Sequence, residues 1–228
     1  RESMYQQALD VLQQTNKQLP FVRVVETYEV VSVAREAIAS GAEIVVARGV
    51  QAKLLKQNTS VTVVDIKLTA QELGLLVQKA KTFIKKKHPQ IAFIGFENTF
   101  SSMTYFEELY QIQHRLYLAE DVEGLRHCVS QAIAEGADCI IGGDTVVAEA
   151  EQGGVPALFT DATGESIREA LEIAEKAAYA SQVERQSNAR VKAILETSFH
   201  GILRTDDNGT ITHVNPTLET LLDAGKKA

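Results

Sequence analysis

The sequence repeats itself at a fixed distance of 95 positions. The stretch 33–57 aligns without a gap with the stretch 128–152, most clearly where Ala39-Ser-Gly-Ala-Glu-Ile-Val-Val46 meets Ala134-Glu-Gly-Ala-Asp-Cys-Ile-Ile141. Solenoid repeats are shorter, about 20 to 50 residues, so this period is typical of a duplicated domain. The sequence therefore predicts two related halves, and a cleft between such halves is a preferred place for a ligand.

Each half has the pattern of an α/β domain. Near-continuous runs of Val and Ile alternate with helical stretches, as in mainly parallel sheets that carry helices on both faces. We predict strands at 21–26, 43–47, 61–66, 90–96, 115–119, 139–141 and 157–160. The strand at 90–96 has no counterpart in the first half, whose first strand we infer to lie upstream of Arg1. The predicted fold is two duplicated three-layer α/β/α halves.

The sequence changes character twice after the second half. Residues 165–198 contain neither Gly nor Pro and favour one long helix, with a loose heptad of small and polar residues. Such a helix is either a signalling connector or a plain surface helix. Residues 201–215 then predict a β-hairpin with its turn at Asp206-Asp-Asn-Gly209, and a short helix follows. A lone hairpin and helix cannot bury a core, so a truncated third domain begins here.

These patterns predict four segments. They are the first α/β half at 1–68, the second half at 69–163, a connector helix at 164–198 and the truncated α+β segment at 199–228.

Composition excludes several classes of protein. The net charge of -7 argues against a broad nucleic-acid face, because phosphate binding needs clustered Lys and Arg. Cys128 and Cys139 form no disulfide framework, and we expect two small core residues in a reducing cytoplasm. The five His residues have no ligand spacing, so neither a metal nor a cofactor is predicted. There is no signal peptide and no apolar run long enough to cross a membrane.

The most informative candidate site is the Arg48-Gly49 turn. In parallel α/β sheets, ligands bind beyond the carboxyl ends of the strands, where helix N-termini point. Arg48-Gly49 follows a predicted strand and precedes a helix at Gln51, and a guanidinium beside a helix N-terminus suits a carboxylate or phosphate. The alternative is that Arg48 pairs with Asp65 or Glu97 across the cleft while Gly49 serves only the turn.

Two further groups occupy comparable strand ends in the second half. Gly142-Gly143-Asp144-Thr145 can cradle an anion, or Asp144 can simply cap a helix that begins near Val146. Glu97-Asn98-Thr99 can bind a polar ligand through the amide of Asn98, or can serve only as a turn. Asp161 is a weaker candidate at another strand end.

The sequence offers no catalytic constellation. It lacks a phosphate-binding P-loop and a nucleophile elbow, and no pair of groups demands acid–base chemistry. We therefore predict a protein that is not an enzyme. Two alternatives remain open, namely an α/β enzyme with its active site between the halves and a dimerisation scaffold that binds nothing.

Two stretches resemble known families. Residues 193–216, with Gly201-Ile-Leu, Asn208-Gly-Thr-Ile211 and Val214-Asn215, resemble the opening of a PAS domain. Residues 2–179 are similar to the N-terminal sensory domain of PrpR, the propionate-catabolism regulator of the sigma-54-dependent activators. That similarity is carried by Ile44-Val-Val-Ala-Arg-Gly49, Val63-Val-Asp-Ile66, Ile91-Ala-Phe-Ile-Gly-Phe-Glu-Asn98, Gly136-Ala-Asp-Cys-Ile-Ile-Gly-Gly143 and Gly164-Glu-Ser-Ile-Arg-Glu-Ala170.

The resemblance implies a cytoplasmic sensor of a small organic acid or related metabolite. It also implies self-association through the connector helix and PAS region. An ATPase module that contacts the sigma-54 RNA polymerase and a DNA-binding module are implied beyond Ala228. Val50-Gln51 stands where family members often have Gly and Thr, so we expect a ligand that can differ from that of the family's namesake.

Overall fold

The computed structural model describes residues 2–17, 19 and 21–226, which form two compact units at residues 1–175 and 176–228. In chain order the described residues form α1 (Glu2–Gln14), α2 (Val30–Ala39), β1 (Ile44–Ala47), α3 (Gly49–Asn58), β2 (Thr62–Asp65), α4 (Ala70–Phe83), β3 (Gln90–Gly95), α5 (Phe106–Tyr110), β4 (Gln113–Leu118), α6 (Val122–Ala134), β5 (Cys139–Gly142), α7 (Asp144–Gln152), β6 (Ala157–Phe159), α8 (Gly164–Thr197), β7 (Leu203–Thr205), β8 (Ile211–Val214) and α9 (Pro216–Lys226).

The structure carries the repeat at the level of whole elements. β5 begins 95 positions after β1, and α7 begins 95 positions after α3. The register then shifts by one residue. Val45 of β1 pairs with Val63, whereas Ile140, which lies 95 positions after Val45, pairs with Ala157, only 94 positions after Val63. Beyond α7 the equivalence is therefore 94 positions, which matches Thr69 before α4 to Thr163 before α8.

The first half packs its two-stranded parallel sheet between helices. One face of β1 and β2 contacts α2 and α3 through Val45, Ala47, Val63, Val30, Ala34 and Leu55. The other face contacts α1 and the first turns of α8 through Ile44, Val46, Val64, Val11, Leu12, Ile167, Ala170 and Leu171. Apolar residues alternate between the two faces of each strand, so both faces are covered, as predicted.

The second half is built in the same way on a larger sheet. Its strands are all parallel, in the order β4-β3-β5-β6. One face contacts α4 and α5 through Ile91, Phe93, Cys139, Ile141, Leu73, Val77, Ala80 and Phe106. The other contacts α6 and α7 through Ala92, Ile94, Ile140, Leu125, Val129, Ala132, Val146 and Ala150. This arrangement confirms the predicted α/β class with mainly parallel sheets.

The two halves exchange a helix. α4 follows β2 of the first half but packs on the second sheet, and the start of α8 follows β6 but packs on the first sheet. The crossing at residue 68 is paired with the chain after β3, since Leu68 N donates to Thr99 O and Ser101 N donates to Leu68 O. The helices therefore tie the halves into one unit.

Two predictions of secondary structure are wrong. The strand predicted at 21–26 is not formed, because this segment pairs with no strand in the described part of the chain. The sequence also predicts a helix from about Ser102, and only the short α5 forms there. Tyr105 and Gln111 lie at either end of it with left-handed φ values of 65° and 51°, and such residues do not continue a right-handed helix.

The second compact unit contains the last part of α8, the antiparallel hairpin β7–β8 and α9. The hairpin turn lies at the predicted Asp206-Asp-Asn-Gly209, with Gly209 at a φ of 81°. Asn215 is fully buried here. Its Oδ1 accepts from Ile202 N and Leu218 N, and its Nδ2 donates to Leu195 O and His200 O, so α8, the hairpin and α9 meet at one side chain.

Candidate functional site

Arg48 lies where the two halves meet. It directly precedes α3 with extended backbone (φ -128°, ψ 149°), and its half-buried side chain reaches the second half. Its Nη2 donates to Thr160 O at 3.0 Å and to Thr160 Oγ1 at 3.3 Å, just beyond β6. The alternative prediction of a pair with Asp65 or Glu97 is wrong, since both oxygens that the guanidinium contacts belong to Thr160.

Burial and nearby carboxylates have opposite effects on the charge of Arg48. Burial lowers the pKa of Arg48, and the carboxylates of Asp161, Glu72 and Asp144 oppose that shift without cancelling it. The guanidinium nevertheless stays protonated, as arginine does in proteins. Arg48 is thus a desolvated cation whose direct hydrogen bonds are to neutral oxygens, with carboxylates farther away.

Asn98 makes the reciprocal contact from the second half. Its Nδ2 donates to Asp65 Oδ1 at 2.8 Å and to Gly49 O at 3.1 Å, both in the first half. Its Oδ1 is buried and has no hydrogen-bond partner among the described residues. The turn after β1 and the turn after β3, which belong to different sheets, are therefore brought together where the halves meet.

The remaining candidates of the first half serve its local structure. Gly49 has a φ of 54°, a left-handed conformation that favours glycine at the first position of α3. Gln51 donates through Nε2 to Val25 O at 2.7 Å, so its amide holds the extended segment before α2.

Glu97 and Thr99 have different positions. Glu97 is exposed and makes no hydrogen bond or ion pair with the part of the chain that the structure describes. Thr99 is buried, and its Oγ1 accepts from Phe96 N at 3.0 Å, which closes the turn after β3. Of this group, only the side chain of Asn98 contacts the opposite half.

In the turn after β5, the first residue, Gly142, is required by the close packing around it. Gly142 is buried in β5, and a Cβ added there would lie 2.4 Å from Val146 Cγ1 and 2.8 Å from Ile94 O. The N-cap of α7 is Gly143 and the helix begins at Asp144, so the prediction that Asp144 caps a helix near Val146 is wrong. Asp144 is the exposed first residue of α7, where a carboxylate is stabilised by the helix dipole. Thr145 is half-buried.

Glu72 is the residue of this region that sequence reasoning missed. It is only 6% exposed, and its carboxylate accepts from Thr69 N, Thr163 N and Thr163 Oγ1. Burial raises the pKa of Glu72, but the hydrogen bonds from Thr163 and Thr69 outweigh it, so the pKa lies below its ordinary value. The spacing Thr69-x-x-Glu72 is a capping-box signal, which identifies the contact to α4 but not the one to Thr163.

Two surface cavities lie elsewhere. One, of about 560 Å³, is lined by residues 101–108, His114 and Leu116, and the other, of about 440 Å³, lies between α1 and the start of α8. Arg48 and Asn98 line neither of them.

Within the described ranges, no three His, Cys, Asp or Glu side chains are grouped to hold a metal ion. Nor does any helix in residues 2–17 or 21–226 combine the length and the apolar character needed to cross a membrane.

Comparison with known proteins assigns the family. The model of a family described as "Propionate catabolism activator" matches residues 20–184, which is most of the chain. The chain belongs to this family. It is therefore a sensory domain of a transcription regulator, as the resemblance implied. No curated protein matches the chain at a significant level.

A solved structure shares the fold. An NtrC family transcriptional regulator from Clostridium acetobutylicum has a TM-score of 0.58 at 19% identity, over 77% of this chain and 91% of that one. A LacI family regulator from Corynebacterium glutamicum (TM-score 0.39, 13% identity, 74% and 84% covered) and an aspartate racemase homologue from Pyrococcus horikoshii OT3 (0.28, 15%, 76% and 94%) are more distant. The first of these three structures shares the fold of this chain.

Proposed function

We propose that this chain is the ligand-sensing region of a sigma-54-dependent transcriptional activator and that it binds a small organic acid between its two α/β halves. The observation that carries the proposal is Arg48. A half-buried guanidinium at the junction donates to the neutral oxygens of Thr160, at the N-terminus of α3. A carboxylate is a stronger acceptor for a guanidinium than a carbonyl or hydroxyl oxygen is.

The charges around Arg48 limit the kind of acid. Asp161, Glu72 and Asp144 all act on the guanidinium, so a large polyanion would meet repulsion on approach. A small acid that contacts Arg48 directly gains charge-assisted hydrogen bonds and carries fewer charges for these carboxylates to repel. We therefore propose a short carboxylic acid and not a nucleotide. The role is one of binding, since Arg48 and Asn98 do not form a pair of nucleophile and base.

Binding at Arg48 has a direct route to α8. Arg48 contacts Thr160, and the chain between Thr160 and Gly164 leads straight into this helix. A ligand that takes the guanidinium from Thr160 therefore competes with a contact between the halves. Ligand binding is then coupled to the closure of the two halves, because the ligand prefers the state in which Arg48 has left Thr160. A ligand shifts a conformational equilibrium only when it prefers one state.

A thermal-shift measurement tests the site. Wild-type chain, Arg48→Ala and a matched control, Arg35→Ala, are each titrated with short mono-, di- and tricarboxylates. Arg35 is exposed, and among the described residues its side chain donates only to Asn58 O at the end of α3. We expect one acid to raise the Tm of the wild type and of Arg35→Ala with increasing concentration but not that of Arg48→Ala. A rise that survives in Arg48→Ala would contradict the proposed site.

We also propose that the last part of α8 mediates self-association and that ATPase and DNA-binding modules act through regions beyond this chain. Apolar side chains are exposed along this helix, among them Val183, Val191 (52% exposed) and Ile194. Sedimentation velocity of the wild type and of Val191→Asp tests the self-association, with Arg190→Asp as the control on the same helix. A monomeric wild type at micromolar concentration would contradict it.

A further inference from the structure

The second sheet has an open edge at β4. In the strand order β4-β3-β5-β6, β4 pairs only with β3 among the described residues. It is six residues long and contains neither Lys nor Pro, although proteins often protect a free edge with such residues. The side chains of Leu116 and Leu118 are 45% and 49% exposed. β4 is therefore an apolar edge strand without these protections.

The sheet register shows which backbone groups of β4 face outward. Just beyond the strand, Ala119 N donates to Gly95 O, so the odd-numbered residues of β4 direct their backbone groups toward β3. Because this direction alternates along a strand, the N–H and C=O groups of Leu116 and Leu118 face outward. The two exposed leucines therefore lie where the backbone is also open.

Side chains already bond the backbone on both sides of the two leucines. His114 N donates to Glu107 Oε1 at 3.2 Å. After the strand, Glu120 O accepts from Lys53 Nζ at 2.6 Å. Within the described part of the chain, the outward N–H and C=O groups of the leucines have no such partner. The open part of the edge therefore presents two donors and two acceptors.

We propose that β4 pairs with β4 of a second copy of this chain, antiparallel and about a two-fold axis at Tyr117. Leu116 then lies opposite Leu118 of the second copy, and the two exchange both of their N–H···O=C bonds, as a hydrogen-bonded antiparallel pair does. The two-fold axis repeats this pair, so every open group gains a partner. The two four-stranded sheets join into one sheet of eight strands. This interface is separate from the one proposed for α8.

The charges beside β4 favour the antiparallel orientation. Arg115 is exposed in the first half of the strand, and the exposed Asp121 follows its end. Antiparallel pairing about Tyr117 places Arg115 diagonal to Asp121 of the second copy, on the same face of the sheet. Parallel pairing in register places each of these charges opposite its own copy, and like charges directly opposite are destabilising. The edge is therefore complementary to itself when antiparallel.

Apolar surface continues beside the edge on the α5 side of the sheet. Leu116 and the exposed Tyr105 line the same cavity, of about 560 Å³, together with Met103. In the proposed dimer, Leu118 of the second copy lies opposite Leu116 and so beside this cavity. Pairing thereby removes from water apolar area that each copy exposes, which stabilises the association.

Sedimentation velocity of the whole chain tests this interface. All variants carry Val191→Asp, so that association through α8 does not contribute. The background is compared with Leu116→Lys, with Leu118→Glu and with the double variant that carries both changes. Leu75→Lys, at an exposed leucine of α4, is the matched control. Residue-resolved amide hydrogen exchange of the background is measured at low and high protein concentration.

We expect the background chain to dimerise with increasing concentration, and exchange to slow at Leu116 and Leu118. The amides of Arg115 and Tyr117, which face β3, serve as the internal reference. Each single change should weaken dimerisation by about tenfold or more, because symmetry introduces it into two pairs. The double variant should recover most of this loss, because it places opposite charges in both pairs.

Three results would overturn the proposal. They are a background chain that stays monomeric up to about 0.5 mM, a control as weak as the single variants, and a double variant no stronger than they are. Recovery in the double variant also distinguishes a broken interface from a misfolded chain. Neither a ligand nor α8 contributes to these readouts, so failure here is distinguishable from failure of the Arg48 site.

Discussion

At the scale of single residues, Glu72 joins the N-terminal ends of two helices. Its carboxylate accepts from Thr69 N at the start of α4 and from both N and Oγ1 of Thr163 before α8. Each helix packs on the sheet of the opposite half. The Glu72 side chain therefore joins the two chain segments, before α4 and before α8, that pass from one half to the other.

Replacing this carboxylate should lower stability. Glu72→Gln places an amide NH2 opposite a donor, and loss of hydrogen bonds to a buried charged acceptor costs about 1.5–3 kcal/mol. Urea unfolding measures the change, and Glu165→Gln, which loses an exposed pair with Arg168, is the control. An equal free energy of unfolding for the two variants would show that the contacts of Glu72 do not stabilise the unit.

The same carboxylate predicts a dependence on pH. Its folded pKa lies below the ordinary value of 4.5, so its contribution to stability is complete above pH 4.5. That contribution is lost as the pH falls from 4.5 through the lowered folded pKa. The free energy of unfolding of the wild type should therefore fall more steeply below pH 4.5 than that of Glu72→Gln. Parallel curves from acid titrations would contradict this.

Two adjacent glycines should respond differently to a side chain. Gly142→Ala places a methyl group 2.4 Å from Val146 Cγ1 and 2.8 Å from a backbone oxygen, so it should destabilise the fold by about 1–3 kcal/mol. Gly143→Ser should be neutral or stabilising, because a Cβ there meets nothing within 4 Å and serine is a favoured N-cap. Thermal unfolding of both variants distinguishes these cases. Equal losses would mean that the turn after β5 is tight at both positions.

At the scale of elements, Asn215 is the link of the second compact unit. All four hydrogen bonds of its side chain are made to backbone groups, which hold α8, the start of the hairpin and α9 at one point. Asn215→Ala leaves buried N–H and C=O groups without partners. Amide exchange of the hairpin at 203–214 should accelerate at least about tenfold, while exchange in β3 and β5 stays unchanged. Exposed Thr220→Ala is the control, and an unaltered hairpin would contradict the role of Asn215.

At the scale of the whole molecule, the core of the first unit ends early in α8. Ala174 is the last residue of α8 that packs in a core cluster of the first half, and residues 178–194 are exposed throughout. A chain shortened to residues 1–184, where the family match ends, should therefore keep the Tm of its main calorimetric transition within about 2 °C. A large fall in Tm would show that residues 185–228 stabilise the first unit.

The sequence by itself determined the local and repeated features. Runs of Val and Ile produced β1, β2, β3 and β5 near the predicted positions, because apolar patterning and helix-forming composition act over a few neighbouring residues. The repeat predicted equivalent turns after β1 and β5. It also led to Arg48 and Asn98, since each of them follows the carboxyl end of a predicted strand, where ligands of parallel α/β sheets bind.

Only the tertiary structure decided which groups meet. Arg48 contacts a residue 112 positions away, and Glu72 contacts one 91 positions away, and no local pattern contains either pairing. The segment 21–26 has strand-forming residues but is not a strand, because a strand needs a neighbour to receive its hydrogen bonds. A helix satisfies its backbone from its own sequence, whereas a sheet and a site between halves depend on distant partners.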